Sequence, residues 1–238
     1  MISFGRSVFV FVLVLVLGSA SSAQLPGPPP MQQKVAEFKQ LLAANQQARR
    51  SFTWLETTQI AYEGVVKTTK LSDCMYSGPS PKPVCTELSL QQAPLSGGFI
   101  RRRIEEKKAG ELKAYMDSVR TLLAEYVPLS SEMIEKAYQS GNVLYSQDPA
   151  AGTDRLIVTN YKQKGDTVTI IWNAGTKKLT WVRLGTWLGS ASAPVQVGVQ
   201  FNVLPNGVFY AYRKTLNVPA KNVSVTVTAS DFSEAIKP

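Results

Sequence analysis

Histidine is absent from all 238 residues of the chain. That one absence excludes Ser-His-Asp and Cys-His nucleophilic sites, histidine-bearing zinc sites and every acid-base role that histidine fills. The G-x-S-x-G, P-loop and G-x-G-x-x-G patterns are missing as well, and with them the nucleophile elbow and the usual phosphate cradles. Paired carboxylates, Ser-Lys dyads and lysine chemistry are what remain for catalysis. Glu56, Glu63 and Asp166 are the candidate carboxylates, and such a pair would have to face each other at about 5 to 9 Å. The expectation is a protein that is not an enzyme, with no cofactor and no metal.

Cysteine is nearly absent too. Cys74 and Cys85 flank MYSGPSPKPV, a loop rich in turn-forming Gly and Pro. In an oxidising setting a pair this close points to one disulfide across a hairpin. Closing a loop of about 12 residues is worth roughly 3 kcal/mol in the chain-entropy picture. A redox pair is the weaker alternative, because the spacing is not C-x-x-C and no neighbour would lower a thiol pKa.

Long apolar runs are confined to the start. Arg6 precedes the run VFVFVLVLVL from Val8 to Leu17, and the small residues GSASSA follow it. Ten apolar residues make ~15 Å of helix, about half of a bilayer's hydrocarbon core. The pattern is therefore that of a signal peptide at 1–23, cut after Ala23, and the mature protein is expected to be exported, periplasmic or secreted, and soluble. A Pro-rich linker, QLPGPPPM, occupies 24–31, and 32–238 is long enough for a single domain.

Acidic residues are outnumbered, 17 against 26 basic ones, for a formal net charge of +9. The balance suits an anionic membrane surface or an acidic envelope protein. No nucleic-acid partner is expected in an exported chain without a binding-fold signature. Arg101, Arg102, Arg103, Lys107 and Lys108 form the densest basic patch, with Glu105, Glu106 and Glu111 as local partners. Asn222-Val-Ser would accept a glycan in a eukaryotic secretory route.

Periodicity divides the domain into three parts. Val35, Phe38, Leu41 and Leu42 fall at helical spacing, predicting a helix over roughly 32–49. Alternation from Phe52 onward predicts two or three antiparallel strands ending near Leu90. Leu112, Tyr115, Met116, Val119, Leu122, Leu123 and Tyr126 then return to the helical period until Pro128. Ser130 is placed to cap a shorter helix that Gly141 ends, so the helical insertion spans about 102–140. From Arg155 onward RLIVTNY, DTVTIIW, KLTWVRLGTWL, PVQVGVQFNVL, GVFYAYRKTL and KNVSVTVTAS read as strands joined by turns too short for parallel crossovers.

The expected fold is α+β: a curved antiparallel sheet of about nine strands, an open half-barrel, covered by the N-terminal helix and the inserted helical pair. This order of elements, ending in PNGVFYAYRKTLNVPAKNVSVTVTASDF, resembles the LolA/LolB-type lipoprotein carriers and their RseB-like relatives. The chain departs from them in its Cys74/Cys85 hairpin and its RRR-led helix. The resemblance implies an incomplete barrel whose apolar cavity captures a lipid or acyl chain. Trp54, Trp172, Trp181, Trp187, Met116 and Met133 are the expected cavity lining, since aromatic and methionine side chains accommodate flexible apolar chains. The competing expectation is a cell-envelope interaction or structural module with no small ligand.

Overall fold

A computed structural model of the chain describes residues 31–78, 83–93, 99–126 and 129–234. The expected leader at 1–23, most of the expected linker and Pro128 lie outside the described residues, as do the side chains of Arg101, Arg102 and Arg103. Helix α1 (Met31–Arg49) is followed by strands β1 (Phe52–Tyr62), β2 (Val65–Met75) and β3 (Val84–Gln92). Helices α2 (Phe99–Ala124) and α3 (Ser131–Gln139) come next. Strands follow: β4 (Val143–Asp148), β5 (Thr153–Thr159), β6 (Thr167–Asn173), β7 (Leu179–Trp187), β8 (Pro194–Val203), β9 (Phe209–Val218) and β10 (Val223–Glu234), with a 3-10 turn at Pro219–Lys221.

All ten strands join one antiparallel sheet in the order β3-β2-β1-β10-β9-β8-β7-β6-β5-β4. The expected α+β architecture is present: the sheet is open, with β3 and β4 at its edges, and α2 and α3 pack on one of its faces. β4, at VLYSQD, is a strand the sequence reading does not assign. It pairs with β5 across a turn in which Gly152 takes φ 61°, a conformation glycine adopts without a Cβ clash.

Helix α2 buries the stripe that its spacing dictates. Leu112, Tyr115, Met116, Val119, Leu122, Leu123 and Tyr126 are buried or half-buried, whereas Lys113, Asp117 and Arg120 on the other side are exposed. Val119 packs with Val195 of β8 and Val218 of β9. Tyr126 of α2's C-terminal end and Ile134 and Ala137 of α3 pack with Leu156, Val158, Val168, Ile170 and Leu184 of β5 to β7. Each aliphatic side chain buried this way contributes about 1.5–3 kcal/mol. Ser130 caps α3 by accepting from Met133 N at 3.3 Å, and Gly141 takes φ 71° just beyond its end.

α1 ties onto the sheet through Asn45. Its Nδ2 donates to Phe209 O at 2.6 Å, and its Oδ1 accepts from Phe209 N at 2.8 Å. At the base of α1, the Arg49 guanidinium sits over the Tyr76 ring at 5.6 Å.

Candidate functional site

The helix-bearing face of the sheet carries apolar residues in rows that run across the strands. Side chains directly opposite in an antiparallel pair share a face, so the register can be followed from strand to strand. One row passes through Val158, Val168, Leu184, Val197, Leu216, Val225 and Ile60, in β5, β6, β7, β8, β9, β10 and β1, before it reaches Thr68 of β2. The neighbouring row passes through Leu156, Ile170, Val182 and Val199, then turns mixed at Lys214, Val227, Thr58, Lys70 and Leu90.

Burial changes along the first row. Val158 and Val168 are fully buried beneath the helices, whereas Ile60 is 37% exposed. Val65, farther out on β2 and opposite Tyr62, is 56% exposed. The apolar surface thus runs out from beneath α2 and α3 onto β10, β1 and β2. That accessible end, which begins at Leu216 where it, Tyr115 and Met116 pack against Val119, Val195 and Val218, is the candidate site.

The expected lining residues separate. Trp54 belongs to the helix-bearing face, packed with Cys74 and Ala229, and its ring stacks on Phe232 at 5.6 Å. Trp172 is in the main core and donates from Nε1 to Asp154 Oδ2 at 3.1 Å. Met116 and Met133 are half-buried against the helix-to-sheet cores. Trp181 and Trp187 do not join them. Trp181 pairs with Gln200 and Ile171 on the opposite face, over Gly198, where the Arg183 guanidinium stacks on it at 5.0 Å. Trp187 shares that parity and lies against Gly165. The extra residue Thr180 in β7 puts Leu179 and Trp172 inward and turns the two tryptophans out. Lys107 and Lys108 of the basic patch are exposed on α2.

The candidate carboxylates occupy three separate settings. Glu56 pairs with Lys214 at 2.7 Å. Glu63 sits in the β1–β2 turn at φ 52°, and Tyr62 beside it is raised in pKa by a hydrogen bond to Glu63 and by its charge. Asp166 precedes β6, five strand steps from β1 in the sheet order, which is on the order of 20 Å along the sheet at ~4.8 Å per step. Glu56, Cys74 and Cys85 place a carboxylate and two sulfurs within 4.8 Å of one another, but the sulfurs are joined to each other in a disulfide and offer no thiolate to a metal.

Asp166 anchors a buried network that the sequence reading misses. Its Oδ2 accepts from Tyr126 OH at 2.7 Å and from the backbone N–H groups of Lys162 and Gln163 at 3.0 Å each. A hydroxyl has one proton, so Thr186 must donate to Tyr126 across their 2.9 Å contact. Thr186 accepts in turn from Gln163 Nε2 at 2.7 Å. Burial first, and the bond to Asp166 with its charge, hold the Tyr126 phenol far above the ordinary tyrosine range, against the opposing bond from Thr186. The network fastens the C-terminal end of α2 to β7 and the 160–166 turn. The sequence signal for it is KQKGD, a turn with an acid at its exit.

No family model matches the sequence, and no curated protein matches it either. Among solved structures, the chain is similar to a DUF1329 family protein from Desulfovibrio piger at 11% identity and TM-score 0.40, with 85% of this chain and 93% of that one covered. It is similar to a LolA superfamily protein from Nitrosomonas europaea at 10% identity and TM-score 0.32, with 84% and 94% covered.

Proposed function

We propose that this is an exported, non-enzymatic binding protein that holds an apolar ligand, a lipid or acyl chain, between its sheet and its helices. The observation that carries the reading is the apolar row that passes from fully buried Val158 and Val168 to accessible Ile60 without a polar break. A surface of that kind is costly to leave in water and rewards an oily guest by about 25 cal/mol for each Å² covered. Met116 and Met133 pack in the helix-to-sheet cores that the row enters, whereas Trp54 lies six residues along β1 from Ile60, and the leader-like start supports work in the cell envelope. No cofactor or metal is needed for such a role.

A second reading is favoured by β3, which is exposed along its whole length at the sheet edge and presents Val84, Leu88 and Leu90 at 46–55% exposure. An edge of this kind can take another protein's strand, as an envelope interaction module would. Native mass spectrometry of the secreted chain, with lipid extraction, separates the two. Copurifying lipid, or uptake of the neutral fluorophore N-phenylnaphthylamine that bulk lipid displaces, is the expected result. A chain that emerges empty and leaves the fluorophore dark would sink the ligand reading.

A further inference from the structure

We infer that the ligand is a single-chain amphiphile with an acidic head, whose tail lies along Leu216, Val225 and Ile60 and whose head is met by Lys70. The inference rests on the apolar-ligand reading and adds the chemistry of the head. Along the first row the surface stays apolar through Ile60 and becomes polar at Thr68. In the adjoining row, ~7 Å farther along the strands, Thr58 faces Lys70 directly. Thr58, Thr68 and Lys70 are half-buried, and all three project from the helix-bearing face.

Charge decides which cation is available. Lys214, the other lysine of this row, is neutralised by Glu56 at 2.7 Å. Lys70 forms no ion pair among the described residues, and Glu87, which faces Ser72 on β3, is not bonded to it. A half-buried lysine that lies cross-strand from Thr58 and two residues along β2 from Thr68, at the end of an apolar track, suits a carboxylate or phosphate carried on a hydrocarbon chain. A neutral lipid would cover the same track and leave Lys70 without an acceptor.

The test displaces N-phenylnaphthylamine from the mature protein with palmitate, cetyl alcohol, acetate and inorganic phosphate. Palmitate is expected to bind about tenfold more tightly than cetyl alcohol, which has the same chain without the charge. Lys70→Gln should remove that preference and leave the alcohol's affinity unchanged, and Lys70→Arg should restore it, with an unaltered melting temperature showing that both variants fold. Acetate and phosphate should leave the fluorophore in place. Equal affinity for acid and alcohol, or an acid preference that survives Lys70→Gln, overturns the inference while the apolar site stands. Displacement by acetate or phosphate at the same concentrations would reassign Lys70 to a free anion. Failure of every compound to bind, alcohol included, overturns the apolar reading and the inference together.

Discussion

Replacing Tyr126 by Phe removes one oxygen from a place where the fold has no substitute for it. The ring remains, so its packing with Tyr161 at 5.9 Å and with the main core is kept. What disappears is the donor to Asp166 Oδ2 and the acceptor for the Thr186 proton. Asp166 is fully buried and Thr186 is 4% exposed, so neither can turn to bulk water. Losing a charge-assisted bond costs about 1.5–3 kcal/mol and stranding a buried hydroxyl adds about 1, giving about 3 kcal/mol in all. For a domain of about 200 residues that is a fall in melting temperature of roughly 6–12 °C. Differential scanning calorimetry and urea unfolding measure it. Thr186→Val in the Tyr126→Phe background supplies the control: its further cost should be smaller than in the wild type, because the partner of its proton is already gone. A single variant within about 0.5 kcal/mol of wild type, or two costs that simply add, would refute the directional network.

Ile60→Glu should weaken N-phenylnaphthylamine binding by about 10-fold to 150-fold, the worth of one aliphatic contact; as Ile60 is already 37% exposed, its melting temperature should scarcely move, and unchanged binding would exclude the β1 end of the track. Tyr126, Tyr145 and Tyr161 are all raised in pKa, chiefly by burial. The stability they contribute is fully present below about pH 10, where unfolded tyrosine begins to ionise, and is lost as pH rises further, by up to about 1.4 kcal/mol per pH unit for each. Urea midpoints taken from about pH 8 to about pH 11 should fall steepest at the top, with a shallower slope in Tyr126→Phe. Asn45→Ala breaks both bonds to the Phe209 backbone and should cost about 1–2 kcal/mol in urea unfolding. The double change Cys74→Ser with Cys85→Ser reopens a separation of 11 residues and should cost about 2–3 kcal/mol, with amide exchange rising first in β3.

How far such features can be read from the chain depends on whether neighbouring positions or pairing partners fix them. α2's buried stripe, α3's Ser130 cap and the alternation of β8 are local, and the sequence displays them directly. β4 escapes because VLYSQD is a six-residue edge strand with Leu144 at 61% exposure, so only β5 and the helices discipline its pattern. Trp181 and Trp187 show the deeper difficulty. In KLTWVRLGTWL they share parity with Arg183 and Gly185, a hint that this parity faces outward, but Leu179 shares it too and points inward. The extra residue at Thr180 reconciles the two, and such a bulge is specified by the pairing of β6 with β7 and not by either strand alone. The apolar row and Lys70 belong to the same class of fact. Ile60 meets Val225 only because β1 pairs with β10, at a separation of more than half the chain, and no period within β1 announces it. A candidate site built from cross-strand rows is therefore a property of register, and the same one-residue slip that would turn Ile60 outward would carry Lys70 away from the track's end.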